Sequence, residues 1–315
     1  MPVHKIDLPY SFIHIFQQEI ITEDQFNIHA TCYQPVYAHE EVILIGSAIG
    51  VHQEYYRAFA RFLAGRGYTV YTFDYRGIGK SIPVSLKNLE ASMQEWGKYD
   101  LDAVIKHIRS THPNATFTYI GHSISGQILS LTKESSYFSK VVVIASQHMN
   151  WRLWPIHLRF TYAFLIYILM PLMSHMLGYY PGKALKIFWD LPKGIALEWA
   201  RWCRNRKGMF GFHSDHQLSS IQVPLLAIGF SDDAIAPLQP MHALLKKYSQ
   251  AAVTHWQYSP GELGVKELGH FGFFRAKFKN LLWEPVLDWI EQTERFDKPL
   301  MGSLFSNQME CMDVY

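Results

Sequence analysis

The hydrophobic pattern of the chain alternates between short apolar runs and helix-spaced stretches. Phe12 to Pro35 reads as two strands joined by a turn at Thr22-Glu23-Asp24, and Val42 to Ile45 is a continuous apolar run of the kind buried on both faces. Tyr56, Phe59, Ala60 and Leu63 then recur at helical spacing until Gly65 and Gly67 end the segment. A strand over Tyr68–Phe73 follows, then an amphipathic helix over Tyr99–Ile108, broken at His112-Pro113-Asn114. Thr116–Ile120 is a strand, Gly126 opens a helix, and Val141–Ala145 and Val223–Gly229 are further strands. This alternation predicts an α/β fold with a mostly parallel central sheet covered by helices on both faces.

The alternation lapses between His148 and His216. That stretch is rich in Trp, Tyr, Leu and Met, offers no convincing strand, and predicts a helical insertion serving as a lid. The expected organisation is a core over residues 1–147, a cap over 148–216, a second core segment over 217–295 and a tail over 296–315. From Phe160 to Gly182 the only ionisable basic or acidic side chain outside the tyrosines is His175, which approaches the roughly 20 residues of a membrane span. A single span would separate the chemistry-bearing residues on either side of it, and Pro171 is expected to break the run. The expectation is a buried or substrate-facing helix, with a peripheral membrane contact as the next reading.

The strongest chemical signal is Gly121-His122-Ser123-Ile124-Ser125-Gly126, where a strand runs through a sharp turn into a helix. Such a turn holds a serine in a strained conformation with its hydroxyl above the sheet edge. The strict G-x-S-x-G pattern fails at Ser125, which is still small. A serine needs a base, and the base an orienting acid. Asp232 and Asp233 stand just beyond a strand end, where open α/β sheets carry functional groups, and His270 sits between glycine-containing turns further on. The order Ser, acid, His suits this turn. Adjacent carboxylates point different ways, and Asp232 is preferred over Asp233 as the acid. The backbone N–H groups of Ile124 and, from the loop Gly46–Gly50, of Ile49 are the candidate oxyanion donors.

These residues sit in motifs that resemble the α/β-hydrolase superfamily: SAIGVHQEYYRAFARFLAGRGY, FDYRGIGKS, GHSISG, GFSDD and LGHFGFF, with DLPKGIALEWARWCR in the insertion. The resemblance spans about Ile28 to Glu291. It is similar to the serine aminopeptidase-like branch that includes monoacylglycerol lipases, and to bacterial predicted hydrolases within it. Relatives usually carry His-Gly where this chain has Ser47-Ala48; carrying the next position over gives Ile49 as donor. Asp74 and Arg76 of FDYRGIGKS are expected to tie loops together.

Composition narrows the picture. With 49% hydrophobic and 18% charged residues among 315, the chain suits a globular core, and a net charge of +2 gives no reason to expect nucleic acid. Cys32, Cys203 and Cys311 form no CxxC, and no apolar signal-peptide core precedes Asp24, so a cytoplasmic setting is expected, peripheral to the membrane if the lid touches it. The loop His213-Ser214-Asp215-His216 lacks metal-ligand spacing, and no nucleotide-binding fingerprint is present, so neither metal nor cofactor is expected. Arg201, Arg204, Arg206 and Lys207 form a solvated helix face or meet an anionic head group. The expected activity is hydrolysis of an ester, with a thioester or amide behind it, of a hydrophobic acyl substrate through Ser123, His270 and Asp232. The alternative is a catalytically silent protein that binds a lipid or protein partner. The oligomeric state is not legible.

Overall fold

The computed structural model describes residues 12–83, 85–214 and 216–292. Asp215 and the expected tail over 296–315 lie outside the described residues. An eight-stranded sheet takes the order β1 (Ile13–Ile21), β2 (Asn27–Pro35), β4 (Thr69–Phe73), β3 (Glu41–Gly46), β5 (Thr116–His122), β6 (Lys140–Ile144), β9 (Pro224–Phe230) and β10 (Ala252–Tyr258). Pairing is antiparallel for β1–β2 and β2–β4, and parallel throughout the rest. A separate two-residue ladder, β7 (Tyr179–Tyr180) with β8 (Leu191–Pro192), lies inside the insertion, where no strand was expected. The helices are α1 (Arg57–Gly65), α2 (Met93–Glu95), α3 (Asp102–Thr111), α4 (Ser125–Ile128), α5 (Ile156–Phe164), α6 (Met170–Leu177), α7 (Lys193–Arg204), α8 (Leu238–Leu245) and α9 (Glu284–Gln292).

Burial explains why the central strands read so clearly. Every residue of β3, β4 and β6 is buried, while β1 and β10, at the two edges, are largely exposed or half-buried. Alternate residues feed opposite faces, as strand geometry requires. Val42 and Leu44 join a core with Trp96, Val104 and the insertion residues Ile166, Met170 and Trp202. Ile43 and Ile45 join the other, with Phe59 and Leu63 of α1 and Leu287 and Ile290 of α9.

The chain runs from β3 outward to β4, then returns to β5 on the other side of β3. That reversal leaves a crevice at the carboxyl ends of β3 and β5, where parallel α/β sheets bind ligands. Gly46 and Gly121 are in register there, so the loop after β3 and the turn after β5 emerge side by side. Two strands further along, β9 delivers Asp232 and Asp233 to the same edge.

The insertion is helical, but Pro171 does not break it. Residues 156–177 form one 22-residue helix, with a π turn at Leu165–Leu169 between α5 and α6. Pro171 lacks an N–H and would crowd a carbonyl one turn back; the wider turn just before it absorbs that defect.

Candidate active site

Ser123 adopts φ 54°, a left-handed conformation rare for a residue with a side chain. Its own N–H donates to the Ile144 carbonyl at 2.9 Å, which ties the turn to β6. The turn closes tightly enough to exclude side chains on either side. A Cβ on Gly121 would stand 3.0 Å from the Gly126 nitrogen, and one on Gly126 would stand 2.5 Å from Ser146 Oγ. Ser125 has its own reason to be there. Its hydroxyl donates to the Ser47 carbonyl at 2.6 Å, so its oxygen is left to accept from Tyr75 O–H at 3.0 Å. The departure from the strict pattern therefore bolts the elbow to the loop after β3.

His270 is buried, and its Nδ1 lies 2.8 Å from Asp233 Oδ2. The other oxygen of that carboxylate, Oδ1, accepts from Ile235 N–H at 2.8 Å and Ala236 N–H at 2.9 Å. Both oxygens are thus committed and the carboxylate cannot turn. Asp232, preferred from sequence, is exposed and points elsewhere: its Oδ2 accepts from the Leu268 and Gly269 amides at 2.8 and 3.0 Å. The acid facing His270 is therefore Asp233, and Asp232 braces the loop that carries the histidine. The two-residue alternation that made one of them right could not say which, because the chain leaves the strand at Phe230 and turns before either is reached.

The elbow and the histidine loop meet through His122, which sequence reading did not single out. Its Nε2 lies 3.0 Å from the His270 carbonyl, and its ring centroid stands 5.0 Å from that of His270. A carbonyl only accepts, so Nε2 carries the proton. Nδ1 then accepts from Tyr56 O–H at 2.8 Å, and the Tyr56 oxygen in turn accepts from Ala48 N–H at 2.8 Å. Burial, helped by His270, holds the His122 pKa well below the usual imidazole range, so this relay is neutral. The only sequence signal for it was a histidine directly before the elbow serine.

Tyr56 takes up the Ala48 amide, whereas Ile49 and Ile124 donate no backbone hydrogen bond among the described residues. These are the two N–H groups expected to face an oxyanion. Ser123 Oγ likewise has no hydrogen-bonded partner among the described residues. Such bonds are often long before a substrate closes the site.

The insertion is fastened to the same loops. Trp154 Nε1 and Tyr162 O–H both donate to the Ala234 carbonyl, at 3.1 and 3.0 Å, one residue past Asp233. Trp189 N–H donates to the Gly50 carbonyl at 3.2 Å, next to Ile49. Within the insertion lies a small cavity lined by Gln147, Met149, Trp151, Trp154, Tyr162, Trp199 and Cys203. Further out, Asp74 accepts from Gln53 N–H at 2.8 Å, and Arg76 pairs with Asp24 and Asp100 at 2.7 Å each, so both residues of FDYRGIGKS hold loops together.

Sheet order and elbow are those of the α/β-hydrolase fold, and they bring Ser123, His270 and Asp233 to one edge of the sheet. The family model for serine aminopeptidase S33 matches residues 37–176, from just before β3 through the elbow into the insertion. The fold is shared with the esterase Pf2001 of Pyrococcus furiosus, at TM-score 0.57 and 17% identity over 91% of this chain and 92% of that one. It is also shared with the Exiguobacterium antarcticum esterase EaEST, at TM-score 0.57 and 15% identity over 88% and 100%, and with a thermophilic esterase from Thermogutta terrifontis, at 0.56 and 14% over 88% and 99%. No curated protein matches the chain in sequence.

Proposed function

We propose that the protein hydrolyses a carboxylic ester of a hydrophobic acyl group through an acyl-enzyme on Ser123. The observation that carries this reading is the buried His270–Asp233 pair, 2.8 Å apart, held against the elbow by the His122 bond to the His270 backbone. With Nδ1–H directed at Asp233, the Nε2 lone pair of His270 is the base. It takes the Ser123 proton as Oγ bonds to the carbonyl carbon. The Ile49 and Ile124 amides receive the oxyanion, and collapse expels the alcohol, which takes the proton from His270. Water then attacks the acyl-enzyme, giving its proton to His270, and the acid leaves as Ser123 is restored.

The aromatic side chains that the insertion brings beside Asp233 and Ile49, Trp154, Tyr162 and Trp189, favour an acyl chain over a charged group. The esterases that share the fold agree with ester chemistry without fixing a substrate. The test is turnover of p-nitrophenyl esters of increasing chain length together with labelling by a fluorophosphonate. Ser123→Ala is expected to abolish labelling and lower kcat by about 10⁴-fold or more. Labelling of that variant equal to wild type would refute the assignment.

A further inference from the structure

The insertion helix over residues 156–177 has two opposite faces. Ile166, Met170 and Ser174, four residues apart, are its buried positions. Opposite them runs a second four-residue series, Ile156, Phe160, Phe164, Ile168, Leu172 and Met176, in which every side chain is exposed. Phe160 is 81% exposed and Ile156 and Met176 are each 70% exposed. At about 1.5 Å per residue the ridge is roughly 30 Å long. A water-facing helix ordinarily turns charge outward; this one turns out phenylalanine, isoleucine and leucine.

The flanks are predominantly basic. No Asp or Glu occurs anywhere between residues 135 and 189, whereas Arg152, Arg159, Lys183 and Lys186 do. Arg204 reaches the helix beside the ridge, 5.5 Å from the Tyr167 ring, and Arg152 donates to the Arg204 carbonyl at 3.0 Å. Beyond the helix, Leu185, Ile187 and Trp189 are exposed next to Lys183 and Lys186, with one acid, Asp190, whose Oδ1 accepts from Lys183 N–H at 3.0 Å.

We propose that this face docks on an anionic phospholipid bilayer, with the helix lying in the plane of the interface. Apolar side chains enter the boundary between head groups and acyl chains, and the flanking arginines and lysines meet the lipid phosphates. A second copy fits the surface less well, because pairing two such faces would bring like-charged flanks together. Spanning is excluded by the fold. The helix lies between β6 and β9, which pair side by side, so both of its ends return to one sheet.

Co-sedimentation with phosphatidylcholine vesicles, with and without phosphatidylglycerol, tests this on the full chain. Wild type is expected to bind the phosphatidylglycerol vesicles at least about tenfold more strongly than the neutral ones, and to be released by salt. Phe160→Asp with Ile168→Asp is expected to cut binding about tenfold or more, and Lys183→Gln with Lys186→Gln by about fivefold per charge. Unchanged thermal melting shows that these exposed positions leave the fold intact, and because no chemistry is read, the result stands apart from the ester-hydrolysis proposal. Three results would overturn it: no vesicle binding, equal binding to neutral vesicles, or a dimer in vesicle-free buffer that the double aspartate variant abolishes.

Discussion

Two segments of the same chain treat their apolar residues in opposite ways. Residues 118–132, the end of β5 and the elbow, are buried without exception, serines, threonines and glutamine included. In the 22 residues of the insertion helix only three positions are buried, although the segment is far more apolar. Composition therefore does not decide burial here. The elbow is buried because β3 and β6 pair on either side of β5 and Ser125 finds partners in Ser47 and Tyr75, although Gln127 Oε1 and Ser130 Oγ have none among the described residues. The helix stays exposed because only one of its faces has anything to pack against.

The largest effect separating exposed from enclosed positions is expected at the two aspartates. Asp233→Asn should lower kcat/KM for a p-nitrophenyl ester by about 10³–10⁴-fold, since the histidine would lose its tautomer-fixing partner. Asp232→Asn should cost less than about tenfold, through a loosened loop. A reversed order in steady-state kinetics would mean that the carboxylates exchange places in the working enzyme.

A second contrast is in stability. Gly126→Ala forces a Cβ against Ser146 and Val143, and should destabilise by about 1–3 kcal/mol in urea unfolding. Met176→Ala, on the exposed ridge, should stay within about 0.5 kcal/mol. Equal losses would show that the ridge is covered in solution.

The smallest effect is in pH. Burial lowers the pKa of His122 well below its usual value and that of His148 to about 4. Each is neutral in the folded protein but takes up a proton when unfolded below about pH 6.5. Their contribution is thus complete above that pH and shrinks on acidification, by about 1.4 kcal/mol per pH unit for each. Urea midpoints at pH 7, 6 and 5 should fall in step, and His148→Asn should make the decline shallower; a flat profile would mean that water reaches these rings.

What could be read from sequence follows the same division. Strands β3, β4, β5, β6 and β9 were legible because burial on both faces leaves near-continuous apolar runs. The edge strand β10 was not, since Ala252-Val253-Thr254-His255 is open to solvent and carries no clean alternation. Ser123 and His270 stood out through the shape of their turns. Asp233 was left behind Asp232 because the chain turns after Phe230 and alternation no longer orders the two, and Tyr56 was read only as a helix-spaced position because its contact with His122 spans 66 residues. Pro171 misled because a proline stops a helix only where no wider turn accommodates it.

The three hydrogen bonds from Trp154, Tyr162 and Trp189 to the Ala234 and Gly50 carbonyls mean that the insertion is not a detachable module. A segment transplanted in its place would have to bring an indole, a phenol and a main-chain donor to those same two oxygens. Otherwise the graft would slacken the loops that carry Asp233 and Ile49.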